Sequence, residues 1–176
     1  MANAVERYSL IARSIHWLTA LMVLTMVPAG LVMIRIEGGA LQNQLFDFHR
    51  SVGIVLMLLT VLRLAYRLTH PPAPLPDSMP HWQKLAAKAT HVFLYGFLLV
   101  NPFLGWVATS AYGAKISVFG LYTMPALIAK DRALSEQLFQ VHLALGLLFT
   151  AAVLLHIAAA LYHGLVRRDG VLSRMI

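Results

Sequence analysis

Eight histidines stand in a chain of 176 residues that has no cysteine. Six of them, His16, His49, His91, His142, His156 and His163, lie in or at the edges of long apolar runs. An ionisable side chain in such a run is costly and usually serves a function. A neutral imidazole can ligate a metal, exchange a proton near neutral pH, or satisfy a neighbouring carbonyl. The last reading suits a lone histidine better than six together. His70 and His81 fall in a proline-rich connector and are expected to be solvated. Without cysteine there are no disulfides, thiolate metal sites, iron–sulfur clusters or C-x-x-C-H heme attachment.

The spacing of His142 and His156 says most. Fourteen residues separate them, which on a helix is about 1400°, about 40° short of four turns, with a rise of about 21 Å. Both imidazoles then face one interior stripe, too far apart to share a zinc ion. Each can instead give one ligand to a large flat prosthetic group, and heme held by two imidazoles in an apolar bundle suits that arrangement. Each iron needs a second imidazole at matching depth. His49 and His142 open their spans on the same side and pair at an outer heme. At the inner heme His156 can pair with His16 or with His91, and depth alone does not choose. Gly53 and Gly146 each follow an outer histidine by four residues, where a missing side chain leaves room for a porphyrin or for close helix packing.

The elements that must hold these residues are membrane spans. The chain is 59% hydrophobic and 12% charged, about half the charge of an ordinary soluble domain. A bilayer core of about 30 Å takes about 20 apolar residues in helical form. Four stretches qualify, at roughly 14–34, 48–68, 89–110 and 138–166. The second is the shortest, with Arg50, Arg63 and Arg67 at its margins, and requires these arginines to snorkel. Residues 70–80 hold five prolines and form a stiff connector. The stretch from Tyr112 to Glu136 is a longer loop with apolar patches, expected to lie over the bundle mouth. These features describe an all-α membrane protein, a single four-helix domain over 1–176.

Lysine and arginine assign its orientation. Nine of the 14 fall on the face shared by both termini and the connector, and five on the other, so the first face is cytoplasmic. The basic residues sit at the ends of apolar runs rather than on a soluble face, so the net charge of +7 reflects a lipid partner and not nucleic acid. The first apolar run has no A-x-A-like cleavage pattern and is read as a retained anchor.

Several motifs resemble those of the bacterial cytochrome b561 family over nearly the whole chain. They are R-x-x-x-x-x-R-S-I-H-W-L at Arg7 to Leu18, F-H-x-x-x-G at Phe48 to Gly53, and G-L-x-T-M-P at Gly120 to Pro125. H-x-A-A-A-L-x-H at His156 to His163 and R-D-x-x-L-x-R-M at Arg168 to Met175 complete the set. The resemblance is strongest to the superoxide oxidase type, which passes electrons from superoxide outside to ubiquinone in the membrane. It implies two non-covalent b hemes in a bacterial inner membrane, the outer on His49 and His142 and the inner on His16 and His156. It also implies a quinone pocket at His91 and His163. Gly164, where some relatives carry a second histidine, departs from that pattern.

On this reading superoxide is drawn to the outer mouth by Arg50 and Lys115, with Arg35 as a weaker candidate. A positive charge at a low-dielectric rim raises the encounter rate of an anion. Two further classes of function are compatible with the sequence. One is an electron-carrier subunit linking a periplasmic dehydrogenase or hydrogenase to the quinone pool; the other is a cofactor-free bundle.

Overall fold

The computed structural model describes residues 7–176, so the first six residues of the expected 1–176 domain lie outside the described residues. Four helices carry the chain: α1 (Leu10–Met33), α2 (Gly39–Thr69), α3 (His81–Tyr112) and α4 (Arg132–Leu161). Each is long and apolar enough to cross a membrane, α4 together with the π-helical turn Tyr162–Arg167 that continues it. Their outer surfaces expose leucines such as Leu21, Leu62, Leu154 and Leu155, as expected of helices whose solvent is hydrocarbon.

The helices outrun the apolar stretches that mark them in the sequence, because backbone hydrogen bonding continues past the hydrocarbon boundary. α2 begins at Gly39, and Gln42 in its first turn donates back to the carbonyls of Met33 and Ile36. His81, read from the sequence as part of the connector, is the first residue of α3, with Pro80 as its cap. Ser9 caps α1 by accepting from the Ala12 amide, and Asp131 caps α4 by accepting from the Leu134 amide, each satisfying an otherwise free N–H. The segment between α2 and α3 is extended, with a single turn near Asp77.

α1 packs on α2, α3 on α4, and α2 on α3, whereas α4 has almost no backbone contact with α1 or α2. Directly packed helices sit about 8–10 Å apart, so a gap remains between α4 and the α1–α2 pair. Val23, Met26, Val52, Leu56, Leu98 and Phe149 fill its middle.

The loop expected over the mouth is there, and it is more ordered than a loop. Its strands β1 (Ser117–Val118) and β2 (Tyr122–Thr123) pair antiparallel, Ser117 opposite Thr123. Phe119 and Gly120 take positive φ at the tip. The fully buried Ser51 of α2 holds this hairpin down: its hydroxyl accepts from the Phe119 amide at 2.9 Å and donates to the Ser117 carbonyl at 3.2 Å. Trp106 Nε1 donates to the Pro125 carbonyl at 2.9 Å and fastens the following segment.

Candidate functional site

His49 enters from α2 and His142 from α4, and their rings meet with centroids 6.1 Å apart and planes at 82°. His49 Nδ1 donates to the Met26 carbonyl at 3.1 Å, and His142 Nδ1 donates to the Asn101 carbonyl at 3.0 Å. A ring that gives its Nδ1 proton to a carbonyl keeps a lone pair on Nε2, the tautomer found in metal-ligating histidines. Both imidazoles border a cavity of about 1020 Å³, at the upper end of the range for cofactor sites. Gly53 and Gly146 also line it, and a Cβ at either would meet only Met26 Sδ at 3.8 Å or Asn101 Nδ2 at 3.7 Å. They leave cavity space open beside both histidines.

A second cluster lies farther along α4. His156 faces His16 of α1 with centroids 6.3 Å apart and planes at 80°. It also faces His91 of α3 at 5.7 Å and 66°. Arg63 Nη2 lies 2.9 Å from His16 Nδ1, and because a guanidinium only donates, that nitrogen accepts. Arg63 also lies over the Tyr95 ring, as does Arg67, at 5.5 and 5.9 Å. The sequence marks Arg63 as an arginine at the margin of a span; its guanidinium lies against a histidine and an aromatic ring. Between the clusters stands Phe149, seven residues from each α4 histidine, stacked on Phe97 at 6.0 Å.

The residues can be tested against a heme iron. An imidazole nitrogen stands about 2 Å from a metal it ligates, so with the ring radius added two rings that share one metal would have centroids no more than about 6.3 Å apart. The outer pair fits in spacing, tautomer and free volume. The His16–His156 pair fits in spacing, and the His91–His156 pair is closer by about half an ångström. At His16 the neutral ring that accepts from Arg63 carries its proton on Nε2, so ligation through that atom requires Arg63 to release Nδ1.

His163 is not part of the inner ring cluster. It sits in the π-helical turn with Nδ1 2.6 Å from Asp169 Oδ2, and Arg167 Nε is 3.4 Å from the same oxygen. Burial disfavours the charge on Asp169, but hydrogen bonds from His163 and the Val171 amide, with the charge of Arg167, outweigh it and hold this carboxyl below its usual range. Asp169 belongs to a motif read from the sequence, but spacing alone did not pair it with His163.

At the end of the bundle that carries the hairpin, Arg50 lies over the Phe46 ring at 5.0 Å and borders the cavity. Lys115 is exposed just before the hairpin, next to the cavity-lining Ile116, and Arg35 is exposed in the turn after α1. Arg132 lies over Tyr112 at 3.8 Å.

A model of the family described as prokaryotic cytochrome b561 matches residues 7–176. The chain belongs to that family. It is 34% identical over 176 residues to "Cytochrome b561 homolog 2" of Escherichia coli K12, with 99% of this chain and 93% of the relative covered. It is 28% identical over 175 residues to "Cytochrome b561 homolog 1" of the same organism, covering 97% of each. It is 29% identical over 175 residues to "Probable superoxide oxidase CybB" of Yersinia pestis, covering 97% of this chain and 96% of that protein. As a family member this cytochrome is a membrane-helical, b-type, heme-binding electron-transfer protein. The cofactor-free reading of the sequence is thereby set aside.

Proposed function

We propose that this cytochrome takes electrons from superoxide at its outer face and delivers them to ubiquinone at its inner face. The outer heme would be held by His49 and His142 and the inner by His16 and His156. The observation that carries the reading is the two facing imidazole pairs, at 6.1 and 6.3 Å, spaced along one helix. The likeness to a protein named as a probable superoxide oxidase supports the choice of substrate. The nine-to-five distribution of basic residues supports an orientation with both termini in the cytoplasm and the hairpin in the periplasm.

The bound hemes supply one-electron carriers at two depths. The chain's own residues do the rest. Arg50 beside the cavity and Lys115 on the rim attract the anion. Two superoxide ions each give up one electron and leave as dioxygen, so no covalent step or dedicated base is needed. The two electrons, with two protons from the cytoplasmic side, convert one quinone to quinol. His91 and His163 would donate hydrogen bonds to the quinone oxygens and pass protons to them, with Asp169 fixing the orientation of the His163 ring.

The test is superoxide-dependent reduction of the purified, heme-loaded protein, followed by absorbance with and without added ubiquinone. The expected result is quinone-dependent superoxide loss without any partner, slowing as salt rises. No acceleration, together with co-purification of a periplasmic dehydrogenase or hydrogenase, would overturn it in favour of the electron-carrier role.

A further inference from the structure

The rings of His49 and His142 are each seated on a helix other than their own, and the two seats have the same construction. Each Nδ1 donates to a backbone carbonyl, Met26 on α1 and Asn101 on α3. Each ring also lies over the residue four positions beyond that carbonyl, Gly30 in one case and Gly105 in the other. A Cβ built on Gly30 would stand 2.7 Å from His49 Cε1 and 2.8 Å from Nδ1. One built on Gly105 would stand 3.0 Å from His142 Cε1 and 3.2 Å from Nδ1. By contrast Gly96, on the same helix as Gly105, would meet nothing within 4 Å.

The register has a physical cause. A helical carbonyl has a second lone pair beyond the one used in the ladder, and the side chain four residues on stands beside it. The chain shows this reach directly: Thr60 bonds to the Leu56 carbonyl, Thr109 to that of Gly105 and Thr150 to that of Gly146. At Met26 and Asn101 an incoming imidazole takes the place such a hydroxyl would hold. Only glycine at the fourth residue leaves that place vacant.

We propose that Gly30 and Gly105 are positioning residues for the outer cofactor. Together they admit the two rings to their carbonyls, fix the Nδ1–H tautomer of both, and set the 82° crossing of the ring planes. This rests on the heme reading above. Neither glycine follows a histidine in sequence, so neither is found by looking one turn beyond a ligand.

The experiment compares holoprotein carrying Gly30→Ala, Gly105→Ala or Gly96→Ala with the parent, by low-temperature EPR and redox titration of each heme. The lowest-field line of a low-spin ferric heme responds to the angle between its axial ring planes. Gly30→Ala and Gly105→Ala should each move the outer line and the outer potential, or lose the outer heme, while the inner signal stays. Gly96→Ala should move neither. If Gly30→Ala does not accumulate, Gly105→Ala decides, since its clash is shallow enough for the ring to shift. An unmoved outer signal in Gly105→Ala, or equal disturbance of both hemes, overturns the proposal. A parent protein without two b-type signals defeats the heme reading itself, which is a separate result.

Discussion

At the scale of single residues, what matters is which nitrogen of each imidazole is free. His49 and His142 spend Nδ1 on carbonyls, so replacing either by alanine should remove the outer heme signal and spare the inner one, as read by difference spectra. His156 is the one imidazole that faces both inner candidates. His16→Ala should therefore remove the inner heme, whereas His91→Ala should keep it; the reverse outcome would reassign the ligand. Arg63 sets up a sharper test. A unit positive charge within about 8 Å at an effective dielectric near 20 is worth about 2 kcal/mol, and it favours ferrous over ferric iron. Arg63→Gln should lower the inner midpoint potential and leave the outer one in place, checked by potentiometric titration. The histidines were legible because fourteen residues make nearly whole turns, and that arithmetic needs no tertiary information. The orientation of Arg63 was not, since the spacing that puts an arginine at a span's margin does not say which way its long side chain bends.

At the scale of elements, the apolar runs were legible and their ends were not. Hydropathy marks where lipid begins, whereas a helix ends where its hydrogen bonds are capped, which is why α2 starts nine residues before the apolar stretch does. The hairpin was missed as structure because its strands have two residues each, too short for alternation to register. Ser51 is its anchor. Removing the Ser51 hydroxyl frees the Phe119 amide and the Ser117 carbonyl, which belong to exposed residues and turn to water, at a net cost of about 1 kcal/mol per hydrogen bond. Ser51→Ala should speed hydrogen exchange at Phe119 several-fold, with both heme signals kept. The π-helical turn after α4 is a second such device, since the Asp169 carboxylate ties His163, Arg167 and the Val171 amide into one turn. Its carboxyl is held below the usual range, so its stabilisation is present above the unfolded-state pKa and is lost as pH falls through the lowered folded value. Protection of the Val171 amide, its exchange rate relative to an unstructured amide at the same pH, should therefore persist at neutral pH and fall only in acid, and Asp169→Asn should show the weak protection at neutral pH as well.

At the scale of the molecule, the bundle is two helix pairs with a gap beside α4. The pairs α1–α2 and α3–α4 are joined mainly through α2 against α3 and through the hairpin on α2. The interior between α4 and the first pair contains imidazoles, the Phe149 cluster and a large cavity, where a soluble bundle would have interlocking leucines. A group that binds only the folded chain stabilises it by about 2.7 kcal/mol at one hundred times its dissociation constant, and here that group would supply the contacts the helices do not make with each other. Heme should thus act as a structural part of the outer half. His142→Ala, which leaves the cavity open and removes the ring that spans from α4 to α3, should lower the thermal midpoint measured by circular dichroism in detergent. Adding heme during expression should restore the midpoint of the parent protein far more than that of the variant. His163→Ala, remote from the cavity and outside the ring cluster, should leave the midpoint close to that of the parent while slowing quinone reduction. A variant pattern in which both substitutions destabilise alike would mean that the two pairs cohere without the cofactor, and that the gap is closed by motion of α4.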